Sequence, residues 1–181
     1  MISRNLKQLA SDLQWDEAED SIYGSAQHLP CTIVEQPKSI AVVFYLPHLQ
    51  EITKETLDSY FTKHASRYKI TNLEFSDDFY FIRIKHSLIP LAKDKIMDLL
   101  LIASNLIQEN QPDSVAYCAA CGQPTEPGEF GLYQGFYCAL HEHCPSLPDA
   151  ADSPQAADIQ ISLDGEDIVP TDNLETENLR Q

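Results

Sequence analysis

Apolar residues at Ile2, Leu6, Leu9, Ala10 and Leu13 recur at three- and four-residue steps, so they share one face of a helix running to about Trp15. The acids from Asp16 to Asp20 are expected to break that helix and leave irregular chain. Beyond them, residues 22–26, 31–36 and 39–46 read as three strands, with turn signals at His28-Leu29-Pro30 and Gln36-Pro37-Lys38. The third strand is apolar on both parities, through Ile40, Val42, Phe44 and Leu46 and through Ala41, Val43 and Tyr45. It should therefore be central and covered on both faces. Ile52, Leu57, Tyr60 and Phe61 mark a second amphipathic helix over residues 51–65.

Residues 69–75 and 78–86 form a hairpin pattern over Ser76-Asp77, with Tyr80, Ile82 and Ile84 on one parity and Phe79, Phe81, Arg83 and Lys85 on the other. An outward Phe79 and Phe81 pair marks either a contact surface or a second core, and the simpler expectation is that a helix covers it. A third helix follows Pro90 and runs to about Glu109, where Asn110, Pro112 and Asp113 end it. The order α-βββ-α-ββ-α predicts an α+β fold, an antiparallel sheet with packed helices, over residues 1–110.

Residues 117–144, YCAACGQPTEPGEFGLYQGFYCALHEHC, hold four of the five cysteines and two of the six histidines. Cys118 and Cys121 stand in C-x2-C spacing, and Gly122 lets the backbone turn beneath both thiolates, so that they can share one tetrahedral zinc ion. The second half of the site has two framings. Cys138-x2-His141 follows Cys121 after sixteen residues, and His141-x2-Cys144 after nineteen. The favoured set is Cys118, Cys121, His141 and Cys144, because the other framing strands Cys144 as a free thiol beside a finished site. Cys138 is the alternate ligand, and otherwise a strand residue packed against the hairpin. Between the halves, residues 128–137 read as two aromatic-rich strands around Gln134-Gly135.

The succession of knuckle, hairpin and ligand pair resembles the treble-clef finger of LIM and GATA type, which implies that the second ligand pair opens a short helix, with Glu142 as a solvated residue at its start. Four strong ligands leave no coordination position for water, and no H-E-x-x-H or H-x-E pattern followed by P-C-x-x-C accompanies them. The zinc is thus expected to be structural and the protein not an enzyme. A second nucleophile candidate, Cys31 beside His28, begins an apolar strand with no oxyanion-donating loop after it, which favours a buried, inert thiol. His48, His64 and His86 fit surface or cap positions, and Tyr23-Gly24 fits a strand bulge.

The chain has 28 acids against 12 bases, a net charge of −16. From Pro145 onward nine acids face the single base Arg180, so the tail carries half of that excess. Nucleic-acid binding needs a basic footprint that releases counterions, and the short run Lys63, His64, Arg67 and Lys69 does not supply one. The opening residues lack an apolar signal region, so a reducing, cytoplasmic setting is expected, and residues 96–107 are too short and too polar to span a bilayer. Residues 148–181, rich in Pro, Ala, Asp, Glu and Gln, are expected to be disordered, with one alternating run at residues 159–163 that could add to a sheet edge.

The element order and acidity of residues 1–110 resemble the type III secretion chaperone-like fold, which implies a small dimer that binds protein segments. Joined to the C-x2-C…H-x2-C finger, this domain also resembles uncharacterised bacterial proteins, some of which continue into membrane segments. The resulting division is an interaction domain over residues 1–110, a zinc finger over 111–147 with its hairpin beside the third helix, and an acidic tail. The expected function is a non-enzymatic adaptor for a protein partner. A homodimeric chaperone-like binder and the cytosolic region of a membrane-associated assembly are the alternatives.

Overall fold

The computed structural model describes residues 2–27, 29–76, 78–85, 93–110 and 116–146. His28, Asp77, His86, Pro90, Pro112, Asp113 and the tail from residue 147, with its run at 159–163, lie outside them. The order of elements begins with α1 (Arg4–Leu13), β1 (Asp16–Glu17), β2 (Ser21–Ala26), β3 (Leu29–Glu35) and β4 (Ser39–Tyr45). It continues with α2 (Glu51–Lys63), α3 (Ala65–Tyr68), β5 (Ile70–Ser76), β6 (Phe79–Lys85), α4 (Lys93–Asn110), β7 (Phe130–Tyr133) and β8 (Phe136–Ala139). The class is α+β, as expected.

Ser3 begins α1 as its N-cap, its Oγ accepting from the Leu6 N–H at 3.3 Å, and Gln14 ends it in the left-handed region at φ 57°. The face carrying Leu6, Leu9 and Ala10 is buried. The acids that follow do not simply break the chain. Asp16 pairs with Tyr23 and Glu17 with Ile22, a two-residue edge strand whose side chains are both exposed and so leave no hydrophobic trace in the sequence.

Six strands form one antiparallel sheet in the order β1-β2-β3-β4-β6-β5. Pairing of Ile33 with Val42 and of Val42 with Ile82 puts alternate residues of the central strands on a common face. On that face Ile22, Cys31, Ile33, Val42, Phe44, Tyr80, Ile82 and Ile84 join Leu9 of α1, Leu57 and Phe61 of α2, Tyr68 of α3 and Leu99, Ala103 and Ile107 of α4 in the main core. Polar groups at its margin are paired. The Tyr68 hydroxyl donates to Asp98 at 2.8 Å, the Tyr80 hydroxyl to Asp58 at 3.1 Å, and Ser104 Oγ reaches the carbonyls of Ala26 and Leu100 at 2.9 and 2.8 Å.

Gly24 lies in regular register opposite Cys31 rather than at a bulge. Its role is steric: a Cβ there would stand 2.3 Å from Cδ1 of Trp15. Among the described residues, no helix is long and apolar enough to cross a membrane.

The other sheet face carries Ala41, Val43 and Tyr45 of β4 and Phe79 and Phe81 of β6. No helix covers it. The β7–β8 hairpin lies there instead, so the expectation that this hairpin docks beside the last helix is corrected. Phe136 packs with its ring centroid 5.0 Å from Phe79 and 6.3 Å from Phe81, and Tyr137 lies 5.5 Å from Tyr23. Cys138 and Ala139 close on Tyr45. The physical reason is the double parity of β4: two apolar faces need two covers, and α1, α2 and α4 occupy only one.

Candidate metal centre

The centre is built from the two ends of the hairpin. β7 and β8 pair in register from Phe130 opposite Ala139 to Tyr133 opposite Phe136. Gln134 and Gly135 join them, both at positive φ, 51° and 83°, as a two-residue type I′ turn requires. Before the hairpin, Gly122 adopts φ 71° and its N–H donates to the Cys118 carbonyl at 2.8 Å, while the Cys118 N–H donates to the Gln123 carbonyl at 2.8 Å. This tight loop turns Cys118 and Cys121 toward the same point. The Ala119 N–H donates to the Ala139 carbonyl at 2.9 Å and the Leu140 N–H to the Glu129 carbonyl at 3.0 Å, which lays the loop against the end of the hairpin.

There Cys118, Cys121, His141 and Cys144 converge, with one ligand atom from each lying within 4.8 Å of the others. The Sγ atoms of Cys118 and Cys144 are 3.7 Å apart, and Cys121 Sγ is 3.5 Å from His141 Nδ1. A group of this kind can hold a metal ion. His141 turns its other ring nitrogen, Nε2, to the Pro124 carbonyl at 2.9 Å, which fixes the imidazole and leaves Nδ1 facing the thiols. That same carbonyl is the main cause of the raised pKa of His141, with burial opposing it and the Cys118 thiolate adding to it.

Burial works against an ionised Cys118, but the backbone N–H groups of His141, Cys121 and Ala120 prevail and hold its thiol down at about 6. The Gln123 N–H favours an ionised Cys121, yet burial and the neighbouring Cys118 and Cys144 sulfurs push that thiol up. Adjacent thiolates repel, so a cation held among them would supply the missing charge balance.

Cys138 is not part of this group. It is fully buried on β8, its Sγ directed at the carbonyls of Phe136 and Gly131 at 3.5 and 3.8 Å, and burial pushes its thiol up to about 12. Cys31 is also fully buried, with its thiol raised by burial, and its Sγ faces the carbonyl of its neighbour Thr32. His141 and Cys144 flank a turn at Glu142 and His143, and no helix opens between them or through Ser146; Glu142 is exposed on that turn. The helix implied by the treble-clef resemblance is therefore absent among the described residues.

Two residues that fasten the centre to the sheet carried little signal. Thr32, fully buried on β3, accepts from the Tyr137 N–H through Oγ1 at 2.8 Å. A lone hydroxyl in the run Cys31-Thr32-Ile33-Val34 was the only trace of it. His48, expected at a surface or cap position, is indeed exposed, in a turn at φ 59°, and it also packs edge-on against Tyr117 with centroids 4.6 Å apart. No family model, curated protein or solved structure matches the chain.

Proposed function

We propose that residues 117–144 form a structural zinc centre and that the protein acts without catalysis, as an adaptor that presents its α+β domain to a protein partner. The observation that carries the zinc reading is a pair of distances. Two sulfurs bound tetrahedrally at about 2.3 Å stand about 3.8 Å apart, and a sulfur and an imidazole nitrogen at about 2.0 Å stand about 3.5 Å apart. The separations of 3.7 Å between Cys118 and Cys144 and 3.5 Å between Cys121 and His141 match those two edges. Three thiolates and one imidazole fit zinc better than calcium or magnesium, which take oxygen ligands.

With four protein ligands the tetrahedron is filled, which favours a structural over a Lewis-acid role. The adaptor reading is supported by exposed apolar side chains that the core does not use. Met97 and Leu101, one turn apart on α4, are 39% and 43% exposed, and Ile52 on α2 is 55% exposed. A groove beside Ile52, lined also by Thr56, Tyr60, His64 and Leu106, has a volume of about 560 Å³. Such positions suit a protein contact. The element order of residues 1–110 supports a second reading, a dimer that binds protein segments.

Metal analysis of the full-length protein after zinc-supplemented expression tests the first half of the proposal. One zinc per chain is expected, and less than about a tenth of an equivalent refutes it. For the second half, native partners are captured on the full chain and on Met97→Glu and Leu101→Glu variants. Undiminished capture by variants that fold and keep zinc would remove this face from the adaptor reading.

A further inference from the structure

The β7–β8 hairpin is the cover of an apolar sheet face, and the group that closes its base consists mostly of thiols. An isolated two-stranded hairpin is marginal in water, so this one depends on what fastens it at each end. At one end are ring contacts of Phe136 and Tyr137 and the bond from the Tyr137 N–H to Thr32. At the other are Cys118, Cys121, His141 and Cys144. Cys118 and Cys144 are buried, whereas Cys121 is partly open to solvent. Opening the cysteine end would leave the cover over Val43, Phe79 and Phe81 held by the docked rings and the Thr32 bond alone.

We propose that the Cys118–Cys121 pair is an oxidant-sensitive latch: a peroxide converts it to a disulfide, the metal leaves, and the hairpin lifts from the sheet. This rests on the zinc reading above. In the first step the Cys121 sulfur attacks one peroxide oxygen, the O–O bond breaks, and the departing hydroxide takes a proton to leave as water. Cys121 is then a sulfenic acid. In the second step the Cys118 thiolate attacks the Cys121 sulfur, the S–O bond breaks, and a second hydroxide takes a proton as water. Two thiolates are oxidised by two electrons and one peroxide is reduced. A disulfide brings its sulfurs to about 2.05 Å, far inside a tetrahedral edge of about 3.8 Å, and neither sulfur remains a thiolate ligand. The metal is left with two protein ligands.

The test uses full-length, zinc-loaded protein titrated with hydrogen peroxide. The expected result has three parts: zinc appears in solution together with a mass lower by two hydrogens, and peptide mapping finds Cys118 bonded to Cys121. An apolar-surface dye brightens several-fold. Amide exchange at residues 136–139 accelerates by tenfold or more, while exchange in β4 and α4 stays slow. Reductant with zinc reverses all three. A Cys138→Ser variant is expected to respond in the same way, because Cys138 lies outside the group. Zinc release and disulfide formation with unchanged dye signal and exchange would overturn the latch and leave the zinc reading intact. Zinc retained under peroxide, or a disulfide other than Cys118–Cys121, would also overturn it. A chain that takes up no zinc at all would fail the zinc reading first, and the latch with it.

Discussion

Thr32→Val is the most selective probe of how the hairpin is held. Valine has nearly the shape of threonine, so the fully buried site on β3 stays filled, but the acceptor for the Tyr137 N–H at 2.8 Å is lost. An N–H left unpaired in a buried contact costs about 1–3 kcal/mol. The loss falls on the docked state alone, since an undocked Tyr137 N–H bonds water. The undocking equilibrium should therefore shift by about 5- to 150-fold. Amide exchange followed by NMR reads this directly, at Tyr137 and its β8 neighbours. Thr32→Ser is the control: it keeps the acceptor and loses one methyl, worth about 0.8 kcal/mol. Exchange should rank wild type slowest, then Thr32→Ser, then Thr32→Val. If Tyr137 exchanges in Thr32→Val within about a factor of two of the wild type, the hydrogen bond does not restrain the hairpin and the reasoning fails.

Cys144→Ser should cost at least tenfold in zinc affinity, whereas Cys138→Ser should keep full zinc content and lose only about 1 kcal/mol of packing, a contrast that a competition assay with a colorimetric chelator resolves. Gly24→Ala should destabilise the whole domain by about 1–3 kcal/mol, because its new methyl would meet the Trp15 ring at 2.3 Å; a thermal midpoint unchanged within error would refute that close approach. Zinc affinity should fall as the pH drops from neutral into the acid range, because protons compete with the metal for the thiols, for Cys121 above all since its pKa is raised, and for His141, whose pKa is raised too. Retention that is flat well below pH 6, measured by equilibrium dialysis, would contradict this.

Local signals carried most of the α+β domain. The helical steps of Leu6, Leu9 and Ala10, the alternation of Tyr80, Ile82 and Ile84, and the double parity of Val42 and Val43 all report burial on a regular element. The elements that escaped are those whose burial has no period. β1 is a pair of exposed acids, recognisable only from its partners Tyr23 and Ile22. Lys69, at φ 55°, ends α3 in a conformation that its side chain does not announce. At the candidate centre, C-x2-C spacing and Gly122 fixed one half locally. The choice between Cys138 and Cys144 turned on strand parity within β8: Cys138 belongs to the cluster on Tyr45, and Cys144 joins the others only after the chain leaves the strand.

The placement of the hairpin was written in the sequence too, but in two distant places whose connection is tertiary. Val43, Tyr45, Phe79 and Phe81 announced a second apolar sheet face, and Phe130, Phe136 and Tyr137 announced a hairpin with aromatic side chains to bury. Neither run names the other. Four helices were available as covers, yet Leu9, Leu57, Phe61, Tyr68, Leu99 and Ile107 already fill one face, and no further helix remains for the second among the described residues. Once that count is made, the hairpin becomes the natural cover among the described elements. Its docking then follows from conservation of apolar surface rather than from any local motif: a sheet with two apolar faces leaves about 25 cal/mol for every Å² it fails to cover, and the aromatic hairpin supplies the matching area. The centre's cysteines and histidine are thereby set at the rim of a buried interface, where losing a ligand loosens a part of the core as well as a loop.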